Sequence, residues 1–221
     1  MKPYTTSTSP ARHALLVGAC AIALATLLQG CVPVMFAGIG ATALIVTDRR
    51  TTGTYVDDET IELKTANLIR QHFGTLNHVN VTSYNRNVLL TGEVQDESAS
   101  AEIQRLAGTV TNVRAVVNEL VVAPPSSFAS RSNDTAITGN VKARFLNNKV
   151  FTPNHVKVVT EAGVVFLLGI VTQAEAEHAA EITRTSSGVR KVVKVFEYIG
   201  ENDARAAIGR NNGPDSPPEA P

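Results

Sequence analysis

The sequence predicts an α+β protein built from two tandem copies of one small unit, each ordered αββαβ. Three observations predict it. Asn77-His78-Val79-Asn80-Val81 reappears as Asn154-His155-Val156-Lys157-Val158, 77 positions later. At the same offset, Val88-Leu89-Leu90-Thr91-Gly92-Glu93-Val94 matches Val165-Phe166-Leu167-Leu168-Gly169-Ile170-Val171, and Val113-Arg114-Ala115-Val116-Val117 returns as Val189-Arg190-Lys191-Val192-Val193 at offset 76. Within each copy the apolar spacing changes from helical to strand-like and back. Between the copies stands Ala123–Asn133 (APPSSFASRSN), whose Pro pair and serines read as a linker. The copies span residues 57–122 and 134–199.

Each copy opens with a helix. Asp57-Asp58-Glu59 precede Ile61, Leu68 and Ile69, and Asn133-Asp134-Thr135 precede Ile137, Val141, Phe145 and Leu146 at helical spacing. The acids suit a helix start through capping and the dipole. Two β-rich runs follow, 78–84 with 87–94 and 155–160 with 164–171, joined by Asn85-Arg86 and by Glu161-Ala162-Gly163 as hairpins. A second helix runs over 96–109 from Asp96 and over 172–186 from Thr172. A last β-branched run, 113–122 or 189–199, closes the copy. The pattern implies a three-stranded sheet covered by two helices. Gly92 and Gly169 mark a bend or a close backbone approach. So small a unit gains from packing against its neighbour. The tail from 200, with four Pro and four acids, has the composition of a disordered segment.

Composition narrows the function. Twenty Lys and Arg balance twenty Asp and Glu over 221 residues, against a general nucleic-acid binder. The balance conceals segregation: copy one carries nine acids and five bases, copy two six acids and eight bases. The first thirty residues read as an export signal: Lys2 and Arg12 without an acid, then the apolar run 14–28, then Leu28-Gln29-Gly30-Cys31. Those last four resemble a bacterial lipobox. The resemblance implies cleavage before Cys31, lipidation of its thiol, and residues 31–56 as a lipidated linker. Several acyl chains at ~0.8 kcal/mol per buried CH₂ anchor stably where one does not. Val32, with no Asp in its place, implies sorting to the outer membrane by the enterobacterial rule. The competing reading of the uncharged stretch 14–46 is a retained membrane helix, which needs about 20 apolar residues.

The αββαβ unit with this strand–Gly–helix pattern resembles the BON domain. The likeness is carried by Thr47-Asp48, Thr51-x-Gly53-Thr54, Val56-Asp57-Asp58, Ser132-Asn133-Asp134-Thr135-x-Ile137-Thr138, the run Asn154 to Gly169, and Gly188-Val189. Two such domains behind a lipobox resemble the dual-BON outer-membrane lipoproteins associated with division and outer-membrane stress. The resemblance implies a periplasm-facing protein that keeps the outer membrane intact. It also implies binding of anionic phospholipid, phosphatidylglycerol especially, through the first helix of the second domain and the loop after it. Links to the outer-membrane assembly and division machinery are implied too, and no cofactor is.

The residues of that region fit such a contact. Over 134–158, Asp134 faces Lys142, Arg144, Lys149 and Lys157. Each base beside an anionic leaflet is worth about 1 kcal/mol. Phe145, Leu146, Val150 and Phe151 could insert beside those charges, with Val150-Phe151 as the wedge after the helix. Val141 reads as core, Phe145 either as core or as insertion surface, and Phe151 either as exposed or as packed. Ala136 stands where related sequences carry an aromatic. Catalysis finds no support: His72, His78, His155 and His178 belong to no catalytic or metal motif, and Glu175, Glu177 and Glu181 read as a solvated helix face. The alternative function is a protein-interaction module bridging envelope machinery, using sheet edges. Replacing Cys31 by Ser should abolish incorporation of labelled palmitate; unchanged labelling would overturn the lipoprotein assignment.

Overall fold

The protein is described by a computed structural model for residues 48–210, so the signal segment, Cys31 and residues 211–221 lie outside the described residues. In the first repeat, α1 (Thr52–Phe73) leads into β1 (His78–Tyr84), β2 (Asn87–Val94), α2 (Glu97–Gly108) and β3 (Ala115–Val122). In the second, α3 (Phe128–Leu146) leads through the short 3₁₀ turn Pro153–His155 into β4 (Val156–Glu161), β5 (Val164–Val171), α4 (Gln173–Arg184) and β6 (Lys191–Tyr198). The expected αββαβ order is present twice. Each sheet has three strands, β1-β2-β3 and β4-β5-β6, with the hairpin antiparallel and the last strand parallel to the central one.

Two element boundaries differ from expectation. α1 is capped by the Thr51 hydroxyl, which accepts from the Thr54 amide, and α3 by Ser127, which accepts from the Ser130 amide. Both helices therefore begin before Asp57 and Asp134, the acids expected at their starts. Residues 126–133 contain neither Pro nor Gly, and Ser127 supplies a cap, so most of the expected linker is helix. Glu201–Arg210 is helical too (α5), against the disorder its composition suggests; Ala204 is buried there.

The displaced acids have another task. Asp58 lies inside α1 and accepts from the Asn85 and Arg86 amides and the Ser83 hydroxyl. Asp134 lies inside α3 and accepts from the Ala162 and Gly163 amides. Each carboxylate thus caps the hairpin turn of its own sheet. Those turns need it: Asn85, Arg86, Ala162 and Gly163 all have positive φ, as a two-residue hairpin demands. The second helices start as expected, on Asp96 and on a Thr172–Glu175 capping box.

Alternation along the central strands sends side chains to both faces of each sheet. On one face Val88 and Leu90 join Ile61, Ile69 and Ile103 under α1 and α2. In the second repeat Val165 and Leu167 join Ile137, Val141 and Phe145 under α3 and α4. The opposite faces meet each other: Tyr84 and Leu89 pack against Phe166 and Leu168, flanked by Val117, Val159 and Val193. The result is four layers, helices–sheet–sheet–helices. Gly92 and Gly169 lie where β2 and β5 pass beneath the carbonyls of His78 and His155, and a Cβ at either would overlap the carbonyl oxygen. Gly92 also has φ +112°.

Gly92→Ala and Gly169→Ala should each lower unfolding free energy by about 1–3 kcal/mol or more, Gly92 the further because of its φ. Gly139→Ala, where a Cβ meets nothing within 4 Å on an exposed helix face, should instead stabilise by up to about 1 kcal/mol. Denaturant unfolding checks this; equal effects at all three sites would refute the close approach.

Candidate functional site

The candidate surface is built by α3 and the turn after it. Helical spacing turns Asp134, Ile137, Val141 and Phe145 inward, and all four are buried. It turns Phe128, Ala136, Gly139, Ala143 and Leu146 outward, all exposed. Phe128 (79% exposed) and Leu146 (73%) stand five turns apart on that outward face, about 27 Å.

The turn sorts its residues through one side chain. The Asn148 carboxamide oxygen accepts from the Val150 and Phe151 amides, at 2.8 and 2.9 Å, and its Nδ2 donates to the Phe145 carbonyl. This holds Lys149 and Val150 outward, Val150 at 49% exposed, and folds Phe151 inward. Phe151 is only 6% exposed and meets Phe145 edge-on, ring centroids 5.0 Å apart. It also lies 6.3 Å from the His178 ring. Phe151 is therefore core and not a wedge, because the Asn148 bonds fix the backbone that points it at Phe145. Phe145 is core as well.

The four bases divide in the same way. Arg144 donates to the Ile182 carbonyl and the Ser186 hydroxyl, both at 2.6 Å, and to the Thr185 hydroxyl at 3.0 Å. It caps the C-terminus of α4, where a cation suits the helix dipole. Lys157 pairs with Glu62 of the first repeat at 2.9 Å. Lys142 and Lys149 are exposed and, among the described residues, make no ion pair. Phe128 lies in the stretch whose composition reads as linker, which hides its place on α3. Its signal is the 18-residue spacing to Leu146, five full turns on one helix face.

A second polar constellation lies just before α1 and joins the repeats. Arg49 makes two hydrogen bonds to Glu175, at 2.6 and 3.0 Å, and a third to the Ile170 carbonyl. Arg50 pairs with Asp48 and Asp58 at 2.7 and 2.8 Å and lies 4.1 Å from the centroid of the Tyr84 ring. Glu175 is therefore buried, not part of a solvated face; Glu177 and Glu181 are exposed as expected. The reason is the capping box, which turns Glu175 back towards its own N-cap and the sheet. Burial opposes the Arg50 charge, but Asp48 and Asp58 outweigh it and hold the guanidinium pKa above its ordinary value. Burial pushes the Tyr84 hydroxyl well up. Burial alone would raise the Glu175 carboxyl as well. The Arg49 and Thr172 hydrogen bonds, with the charges of Arg49 and His155, outweigh it and hold the group below its ordinary 4.5.

Two stacked repeats, each capped by a helix carboxylate on its hairpin turn, define the class. BON-domain sequences match the chain twice, over residues 57–124 and 133–200. The chain belongs to the BON-domain family, as an outer-membrane lipoprotein with two such domains. It is 43% identical over 174 residues to the outer membrane lipoprotein DolP of Haemophilus influenzae, covering 78% of this chain and 90% of that one. It is 38% identical to a 21 kDa hemolysin of Actinobacillus pleuropneumoniae, over 69% of this chain and 79% of that one. It is 31% identical to osmotically-inducible protein Y of Escherichia coli, over 63% of this chain and 72% of that one. Among the described residues no helix is long and apolar enough to cross a membrane.

Because the Glu175 pKa is lowered, its stabilising share is complete above about 4.5 and is lost as pH falls through the lowered value. Glu175→Gln should cost about 3–5 kcal/mol at pH 7, leaving Arg49 buried and unpaired. It should also flatten the fall of melting temperature between about pH 5 and pH 3. Parallel melting curves of variant and parent across that range would disprove the assignment.

Proposed function

We propose that this protein is a non-catalytic lipoprotein that binds anionic phospholipid, phosphatidylglycerol in particular, through the outward face of α3 and the following turn. By that contact it would help maintain outer-membrane integrity. The observation that carries the reading is one surface with two uncompensated lysines, Lys142 and Lys149, beside the exposed apolar side chains Phe128, Leu146 and Val150. Cations draw the helix to anionic headgroups, and apolar groups enter the boundary beneath them. Charge segregation orients the molecule: the acidic first repeat faces away.

Anchoring supports the same reading. The proposed signal ends at residue 30, leaving Cys31 as the lipid attachment. The seventeen residue-to-residue steps from Cys31 to Asp48 can extend at most about 60 Å. A tether of that reach lets α3 lie on the leaflet that holds the anchor. Phe128 takes the part of the aromatic that Ala136 lacks, two turns nearer the helix start. A protein of the outer-membrane assembly or division machinery is the competing occupant of this face.

Vesicle flotation discriminates. The protein should bind phosphatidylglycerol vesicles over phosphatidylcholine, and binding should weaken as ionic strength rises. Lys142→Glu with Lys149→Glu should reduce binding by at least about tenfold, at about 1 kcal/mol per base lost. Leu146→Ser with Phe128→Ser should weaken the salt-resistant remainder. Normal binding by both double variants would refute the surface. Crosslinks from position 149 to protein with none to lipid would favour the competing occupant.

A further inference from the structure

His78, Glu93 and Glu161 converge away from α3, where the two repeats meet. His78 opens β1 and stands opposite Glu93 of β2 in the hairpin register. Glu161 ends β4, in the other repeat. One ligand atom from each, an imidazole nitrogen and two carboxylate oxygens, all lie within 4.8 Å of one another. His78 Nδ1 is 2.8 Å from Glu93 Oε2.

Among the described residues the charge of this group is not balanced. Glu93 is only 4% exposed. Its other hydrogen bond comes from the Ser126 amide at 3.1 Å. Glu161 accepts from the Asn80 carboxamide at 2.7 Å and the Thr91 hydroxyl at 3.3 Å. Those donors are neutral. Among the described residues no Lys or Arg lies within ion-pair distance of either carboxylate. Two carboxylates this close, one of them buried, repel.

We propose that His78, Glu93 and Glu161 form a divalent-cation site, of the zinc class, that ties the first repeat to the second. One nitrogen and two oxygen donors suit Zn²⁺, whereas Ca²⁺ and Mg²⁺ take oxygen alone. Tetrahedral bonds of about 2.1 Å set ligand atoms roughly 3.4 Å apart, inside the spread present here. Ser126, Asn80 and Thr91 already hold the carboxylates by hydrogen bonds, as outer partners do in metal sites. The set is not a product of repeat symmetry. Ile170 occupies the position equivalent to Glu93, and Tyr84 that equivalent to Glu161.

The test uses the full lipoprotein purified from membranes in detergent and stripped with a chelator. Titration with Zn²⁺ should show a single saturable site per chain and a rise in melting temperature, with Ca²⁺ and Mg²⁺ far weaker. Glu161→Gln keeps an acceptor for Asn80 and Thr91 and removes the repulsion with Glu93, so its metal-free melting temperature should equal or exceed the parent's while Zn²⁺ affinity falls by about tenfold or more. His78→Ala should lower Zn²⁺ affinity likewise from the other repeat, with some loss of metal-free stability because Glu93 loses a hydrogen-bond partner. No saturable Zn²⁺ binding, or parental affinity in both variants, overturns the site. Affinity lost with His78→Ala yet unchanged by Glu161→Gln overturns the bridge between repeats.

Discussion

A three-stranded sheet has two faces, and two helices cover only one. In each repeat the central strand is apolar on both sides: Val88 and Leu90 face the helices while Leu89 faces away, and Val165 and Leu167 stand against Phe166 and Leu168 in the same manner. An uncovered second face would expose an apolar patch of the kind that drives association. The repeats resolve this by covering each other. Each large side chain so buried contributes about 1.5–3 kcal/mol. This mutual burial is the condition on which every later feature depends, because it fixes which surfaces remain free.

Polar groups then set the register of the stack. Asn85 donates to Glu197 at 2.7 Å, Lys157 pairs with Glu62, and the Tyr84 hydroxyl approaches the His155 carbonyl at 3.4 Å. Single contacts of this sort add little energy, yet they penalise a rotated or shifted sheet. The chain entering α1 adds a stronger device. Arg49 grips the second repeat at Glu175 and Arg50 grips the first at Asp58, so adjacent residues bind the two halves together. The segment that leads from the proposed anchor therefore ends in the joint between the domains. A pull on the tether would load both repeats together and not peel one away.

How much of this was legible follows from the range of each interaction. The hairpins were, because Asn85-Arg86 and Ala162-Gly163 announce tight turns between alternating runs. The second helices were, because Asp96 and Thr172 are local caps. Asp58 and Asp134 misled, because a carboxylate near a helix start reads as a cap, whereas its partners are turn amides 27 to 29 residues away. Phe151 misled for a related reason. Its direction is set by Asn148, an interaction within three residues but one that composition does not reveal. The sheet-to-sheet contact had a signal in the unbroken apolar run of β5, since a strand covered on one face alone alternates. Glu175 had a local signal, the capping-box spacing to Thr172, but its pairing with Arg49 had none, because Arg49 lies 126 positions earlier.

The same reasoning explains why the two copies diverged in charge and in surface. Once the sheets are stacked, each repeat keeps only its helical layer and its edges for contact with anything else. The bases of the second repeat are then shared between duties. Over residues 134–158, Arg144 closes α4, Lys157 crosses to Glu62, and Lys142 and Lys149 make no ion pair among the described residues. In the first repeat three of the five bases are paired: Arg86 with Asp57, Arg105 with Glu102, and Arg114 with Glu197. The acids there outnumber them, so its helical face repels an anionic surface. A duplicated unit that must hide one face of each copy can thus give its copies opposite outer faces without altering the fold. Here the face left both basic and apolar is that of α3.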